Sequence, residues 1–187
     1  IYVFQLKNKP QNNKLTMKNH TIKISVAAFL IAAALSSCKK DEPVTPVDNS
    51  SAIVPGSGVF ISNEGNFQGG NAKVSFYKFS DGTAREDLFQ PANSRPLGDV
   101  CQSMCLINGK QYVVVNNSGK IEVCLPTNLR SVATITGFVS PRYILPVSAT
   151  KAYVSELFSN TVSLVDLTTN TRTGSFAFPG QSEAMLM

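Results

Sequence analysis

Few residues of this 187-residue sequence have the types and spacing that catalysis requires. The only histidine, His20, lies within residues 1–37. The sequence after them lacks the histidine of a Ser-His-Asp triad, of a His-assisted zinc site and of a histidine general base. Glu64 and Glu156 are of the type used as paired carboxylates, but no spacing brings them together. We therefore predict no catalytic residues, no metal and no cofactor.

Cys101 and Cys105 lie four residues apart. On a helix this spacing would suit a pair of metal ligands, but residues 100–106 are strand-like. With Cys124, and leaving Cys38 aside, the cysteines are odd in number, so at least one is unpaired or pairs outside this chain. Buried free thiols are the favoured interpretation, and a metal pair is the alternative.

Cys38 follows an apolar run and ends the pattern Leu-Ser-Ser-Cys. Residues 17–37 begin with methionine and two lysines and continue with 12 mostly apolar residues, as secretory signal peptides do. The run is shorter than the roughly 20 residues of a membrane span. The pattern resembles a bacterial lipobox, which implies a lipid-modified Cys38 as the first mature residue; a plain signal peptide is the alternative. Residues 1–16 are interpreted as translated upstream sequence.

The net charge changes when residues 1–37, which include the predicted signal peptide, are removed. The whole chain has 17 basic and 12 acidic residues, a net charge of +5. Residues 1–37 hold five lysines and no acidic residue, so 12 basic and 12 acidic residues remain and the net charge is zero. A basic chain would suggest a nucleic acid or an anionic surface as partner. The neutral remainder predicts no nucleic-acid partner.

Residues 38–58 are rich in proline, serine, aspartate and glycine, and we interpret them as a flexible tether between the lipidated cysteine and a domain. Within them, residues 39–42 (KKDE) resemble the export signal of surface lipoproteins of Bacteroidetes. The resemblance implies a lipid-anchored protein exposed on the outer membrane surface. A solvated charge cluster in a linker is the alternative.

Residues 59–187 predict an all-β domain, because short Val-, Ile-, Phe- and Tyr-rich runs alternate with Asn-Ser-Gly, Asp-Gly and Pro-Gly turns. Segments 110–145 and 151–186 also repeat, with Tyr112 matching Tyr153 at an offset of 41. A period of about 40–45 residues with four short strands is typical of a β-propeller blade. Strands are predicted at 59–61, 73–79, 84–89, 142–147, 152–157, 161–166 and 173–178.

The repeat length predicts about three blades in residues 59–187, whereas closed propellers use about 4–8. The sequence ends at Met187 inside a fourth unit. We therefore expect a truncated chain whose complete ring has seven blades. No first-strand motif precedes Val59, so we expect the missing C-terminal part to supply that strand and close the ring.

The repeats resemble a known family. Residues 140–144 (SPRYI), 151–155 (KAYVS) and 160–167 (NTVSLVDL) resemble the YncE-like propeller repeat. Residues 63–67 (NEGNF) and 96–100 (PLGDV) resemble YncE-like surface lipoproteins of Bacteroidetes. Some relatives in that group are BtuG-like proteins, which bind cobalamin beside a TonB-dependent outer-membrane transporter. The resemblance covers residues 59–187.

Loops at one rim of a propeller usually carry recognition. Amides that donate and accept hydrogen bonds, with aromatic rings that can stack, suit a polar or amide-bearing small ligand. The predicted ligand-binding residues are Asn63, Glu64, Asn66, Phe67, Asn116, Asn117, Arg142, Glu156, Phe158 and Asn160. For Asn116 and Asn117, together with Gly119, the favoured alternative is a turn that needs positive φ. For Arg142 it is an ion pair with a carboxylate such as Glu64 or Glu156.

Three functions follow from these features. The first is non-catalytic capture of a small ligand, with a cobalamin-like corrinoid as the expected ligand, for an outer-membrane transporter. The second is a scaffold that binds a transporter or another surface protein without a small ligand. The third is a propeller lyase or lactonase, which the missing histidine disfavours. We expect the first.

Overall fold

The computed structural model describes residues 52–187. The predicted upstream segment, signal peptide, lipidated Cys38 and most of the tether therefore lie outside the described residues. Within this range the chain forms three antiparallel sheets, which confirms the all-β prediction. No helix of the described part is long and apolar enough to cross a membrane.

The first sheet has three strands in the order β1 (Gly58–Asn63), β2 (Lys73–Lys78) and β3 (Ala84–Arg85). The predicted strand over 84–89 is wrong beyond Arg85, because β3 ends there and helix α1 (Phe89–Asn93) begins at the predicted end of the strand. Asp87 Oδ1 accepts hydrogen bonds from the backbone N–H groups of Phe89 and Gln90, each at 3.1 Å. These bonds satisfy N–H groups that have no partner within a helix.

The second and third sheets have four strands each, paired in sequence order. The second comprises β4 (Cys101–Ile107), β5 (Lys110–Val115), β6 (Lys120–Cys124) and β7 (Ser131–Ile135). The third comprises β8 (Pro141–Pro146), β9 (Lys151–Glu156), β10 (Thr161–Asp166) and β11 (Thr171–Ala177). The predicted strands of this repeat are confirmed to within two residues at each end.

The core lies between the sheets in two layers. Val74 and Phe76 of the first sheet pack in one cluster with Val113 and Val115 of the second. Alternate residues of β5, such as Val114, point the other way into a cluster shared with the third sheet. Side chains alternate across a strand, so a sheet covered on both faces needs a nearly continuous apolar run, as β5 has.

Candidate ligand-binding rim

The candidate site lies along one edge of the three sheets. In an antiparallel sheet, the start of the first strand shares an edge with the turn between the second and third strands. The pairings of Cys101 with Val115 and of Pro141 with Glu156 show this arrangement. We call this edge the rim, and it comprises the loops 64–72, 116–119 and 157–160 and the leading segments 95–100, 136–140 and 178–182.

The loop 64–72 holds its own shape through Asn71 and Gly65. Asn71 Oδ1 accepts the backbone N–H of Asn66 at 2.8 Å. Gly65 has φ +76°, and a Cβ there would lie 2.5 Å from Asn71 Oδ1, so glycine is required. The fold of the loop leaves Glu64 and Phe67 exposed, and Phe67 retains 68% of its accessible surface.

Asn63 and Asn66 serve this loop in different ways. The Asn63 side chain donates to Ser75 Oγ at 2.8 Å and so ties the end of β1 to β2. The Asn66 carbonyl accepts the N–H of Gly69 at 2.7 Å, which closes a tight turn. Both residues are exposed, and their predicted contact with a ligand stays a prediction.

Asp99 joins the first rim loop to the second, a role that the sequence analysis missed. Its Oδ2 accepts the backbone N–H of Gln68 at 2.8 Å and the side-chain N–H of Asn117 at 2.5 Å. Its own backbone N–H donates to Ser118 Oγ at 2.9 Å. The sequence signals for this role are the position of Asp99 two residues before β4 and its place in the motif of residues 96–100.

Asn116 lies beneath the surface, with 7% of its area exposed. Its Nδ2 donates to Ser140 Oγ at 2.8 Å and to the Pro141 carbonyl at 3.0 Å. The turn interpretation is confirmed for Gly119, whose φ is +59°, whereas Asn116 and Asn117 do not have a positive φ. Asn116 instead bonds the turn of one sheet to the leading segment of the next.

Glu156 is also buried, at 1% exposure. Its carboxylate accepts hydrogen bonds from the backbone N–H of Val139 at 2.6 Å and from the Ser163 hydroxyl. Its backbone N–H donates to Ser182 Oγ at 3.0 Å. The contacts hold the loop 157–160 between two leading segments, and a contact between Glu156 and a ligand stays a prediction.

Phe158 and Asn160 lie on the exposed part of that loop. Phe158 retains 70% of its accessible surface, and Val139 of the adjacent leading segment retains 66%. The Asn160 carbonyl accepts the N–H of Phe178 at 2.8 Å. The rim therefore exposes three large apolar side chains, Phe67, Phe158 and Val139, each over about two thirds of its surface.

Arg142 forms the predicted type of ion pair with a different partner. Its Nε lies 2.8 Å from Glu183 Oε2, and its Nη1 donates to Gln102 Oε1. Glu156, one of the two carboxylates suggested from the sequence, is buried and already bonded to its own leading segment. The sequence repeat places Glu183 one period after Arg142, a signal that would have identified the partner.

Cys101, Cys105 and Cys124, the cysteines of the described range, are free thiols, as predicted. Burial raises the pKa of Cys101 to about 12, with a smaller effect from the charge of Glu64. Burial likewise raises the pKa of Cys124 to about 12, and Cys105, which is half-buried, has a raised pKa for the same reason. Such thiols are poor ligands and poor nucleophiles. Residues 52–187 contain no group of three or more His, Cys, Asp or Glu side chains placed to hold a metal.

Two grooves lie beside these loops. One, of about 560 Å³, lies between the start of β2 and helix α1 and is lined by Lys73, Asp87, Gln90, Pro91 and Ser94. The other, of about 320 Å³, lies over Tyr153 and Phe176 of the third sheet and reaches Met185. Phe67 and Phe158 line neither of these two grooves.

Comparison with known families identifies the family of this chain. The model of a domain of unknown function, DUF5074, matches residues 57–180. This chain belongs to the DUF5074 family. A search of curated proteins finds no match for this DUF5074 chain.

Solved structures show what fold the DUF5074 domain has. Hydrazine synthase from Kuenenia stuttgartiensis is similar with a TM-score of 0.53 and 18% identity, over 68% of this chain and 34% of that one. A structure titled U3-55K is similar with a TM-score of 0.51 and 12% identity, over 69% of this chain and 39% of that one. The chain thus spans less than half of either structure. The fold is a β-propeller with three blades among the described residues, which confirms the predicted class.

Proposed function

We propose that this domain is a non-catalytic binding module that captures a small ligand on its rim. The fold itself suits a binding or scaffold role, since propeller loops carry recognition on a rigid ring. The observation that carries the proposal is the exposure of Phe67 and Phe158, at 68% and 70%, on two different rim loops. Tight turns do not require phenylalanine, and its exposure to water is unfavourable without a partner.

The surroundings of the two rings suit a ligand with both apolar and amide groups. Asn63, Asn66, Asn117 and Asn160 are exposed on the same rim. Their side-chain amides can donate and accept hydrogen bonds, while the aromatic faces can stack on a flat ring. The two phenylalanines lie on loops of the first and third sheets, so a ligand that contacts both would also lie over the loop 116–119 of the second sheet.

A cobalamin-like corrinoid is the specific ligand that we propose. The support is the resemblance of the repeats to YncE-like and BtuG-like surface proteins, together with the chemistry of a corrin, which has a large flat ring and many carboxamides. Isothermal titration calorimetry with cyanocobalamin tests this ligand. We expect a saturable heat at micromolar protein, and absence of any heat would count against a corrinoid.

The proposed place of action is the outer membrane surface, next to a TonB-dependent transporter that takes up the ligand. The support is sequence-based: the lipobox-like residues 35–38 and the charged residues 39–42. Substitution Cys38→Ser would remove the lipid attachment point. We expect wild-type protein in the membrane fraction and accessible to protease on intact cells, and the Cys38→Ser protein outside the membrane fraction. Equal membrane association of both would contradict the anchor.

A protein-binding scaffold is the second candidate, and the exposed Val139 favours it. Val139 adds a third apolar side chain to the rim, and such patches on soluble proteins often mark protein interfaces. Co-purification separates the two functions. A transporter that co-purifies equally with and without cyanocobalamin favours the scaffold, whereas a ligand-dependent complex favours capture and delivery.

A further inference from the structure

One row of polar side chains runs across the first-strand positions of successive blades. Arg142 donates to Gln102 on one side and to Glu183 on the other. Gln102 lies in β4 and Arg142 in β8, and the repeat places Glu183 at the next equivalent position. First strands β4 and β8 contact each other, and the first strand of a blade lines the central channel of a propeller.

β-Bulges set the direction of two side chains in this row. The pairing of β4 with β5 shifts between Cys101 and Ser103, and that of β8 with β9 shifts between Pro141 and Ile144. Gln102 and Arg142 therefore sit at the irregularity, outside the regular ladder. Bulges are frequent at barrel rims and next to active sites, where they change the direction of a side chain.

The Arg142 guanidinium keeps unused hydrogen-bonding capacity. A guanidinium has five N–H groups, and Nε and Nη1 account for both hydrogen bonds of Arg142 within residues 52–187. Both N–H groups of Nη2 are left without a partner there. The side chain is 20% exposed, so these groups are accessible from the rim.

The ion pair with Glu183 does not by itself explain this arrangement. The Glu183 side chain is 48% exposed, and ion pairs with a solvent-exposed partner contribute little to the stability of a fold. The pair does fix the plane of the guanidinium, because Nε and Nη1 are held from opposite sides. A fixed guanidinium loses less side-chain entropy on binding, and its planar fork matches phosphate and carboxylate oxygens.

We propose that Arg142, held between Gln102 and Glu183, is the subsite for an anionic oxygen group, phosphate or carboxylate, of the captured ligand. This proposal rests on the proposed function, because it specifies the chemical group of a rim-bound ligand that enters the central channel. Arg142 binds the anion through its Nη2 N–H groups, and the side-chain amide of Gln102 donates beside it. Glu183 competes with the ligand for the guanidinium and keeps the affinity moderate.

NMR titration of the 15N-labelled chain with sodium phosphate and, separately, with sodium acetate tests the subsite. We expect the Arg142 Nε–Hε signal and the Gln102 side-chain amide signals to shift with a saturable curve. The anion whose titration curve saturates at the lower concentration identifies the group, phosphate or carboxylate, that the subsite prefers. Arg142→Gln should abolish saturation, and Arg142→Lys should weaken it about tenfold because a lysine cannot form the planar fork. Arg130→Gln, on the opposite edge, should leave the curve unchanged.

The substitution Glu183→Gln distinguishes an anion-binding site from a purely structural ion pair. Removal of the competing carboxylate should tighten phosphate binding several-fold, whereas a purely structural pair predicts no saturable binding in any variant. Chemical shift changes that never saturate, or that are equally large for the Arg130 Nε–Hε signal, would contradict the proposed subsite. A negative cyanocobalamin calorimetry result would contradict the proposed ligand and leave this anion titration interpretable, so the two failures are distinguishable.

Discussion

Asn116 Nδ2 lies 2.8 Å from Ser140 Oγ and thereby joins the turn of one blade to the segment that leads into the next. Hydrogen bonds between other residues join the rim loops of the two neighbouring blades in the same way. Gln68 donates to Asp99 before the second blade, and the Glu156 N–H donates to Ser182 after the third. The rim loops are thus ordered by contacts between blades, which leaves their exposed side chains free for binding.

Asn116→Ala should destabilise the chain by about 1–3 kcal/mol, because it leaves buried polar groups of Ser140 and Pro141 without their partner. Urea unfolding followed by circular dichroism measures the change. Asn160→Ala is the matched control, since Asn160 is exposed on the same rim, and it should alter stability by less than about 0.5 kcal/mol. Equal effects of the two substitutions would contradict the assigned role of Asn116.

Glu122 makes stability depend on pH. Burial alone would raise its pKa, but hydrogen bonds from Arg95, Lys120 and Ser131 lower the pKa to about 2. Arg95 pairs with both carboxylate oxygens at 2.9 Å. Because the pKa is lower in the folded chain, ionised Glu122 stabilises the fold above the ordinary glutamate pKa. That contribution is lost as the pH falls through about 2.

Glu122→Gln should therefore be less stable than the wild type by about 2 kcal/mol at neutral pH. The difference should shrink as the pH falls below the ordinary glutamate pKa. Thermal unfolding of both proteins across the acidic range measures it. A stability difference that stays constant down to the lowest pH would show that the charge of Glu122 is not responsible.

The cysteines should differ in reactivity. Cys101 and Cys124 are fully buried with pKa values of about 12, whereas Cys105 is partly accessible. At mildly alkaline pH, a maleimide should label Cys105 at least about tenfold faster than the other two, because the reactive species is an accessible thiolate. Peptide mass spectrometry measures the three rates, and urea should equalise them. Fast labelling of native Cys101 would contradict its burial.

The sequence was sufficient to predict the all-β class, the repeat and the four strands of the third sheet. The repeat of Tyr112 at Tyr153 set the blade period, and the third blade then followed from its β-branched runs. Helix α1 was missed because its five residues are too few to show a helical period. Its helical conformation depends on the hydrogen bonds that Asp87 Oδ1 accepts from its first N–H groups and on the burial of Phe89 against the first sheet.

The roles of single rim residues were harder to predict than their location. Asn116 and Glu156 were correctly placed next to turns, yet both are buried because the leading segment of the next blade covers them. A turn motif contains no information about a segment that lies some 25 residues further along the chain. The exposure of Phe67 and Phe158 was easier to predict, because the conformation of a turn does not require phenylalanine.

Cyanocobalamin affinity in three phenylalanine variants tests the rim account most directly. Phe67 and Phe158 lie on the rim, and Phe79, exposed by 60%, lies on the opposite edge in the turn after β2. We predict that Phe67→Ala and Phe158→Ala each weaken binding about tenfold, since each loses a stacking contact. Phe79→Ala should bind like the wild type. Equal affinities in all three variants, or no binding by the wild type, would contradict ligand capture on the rim.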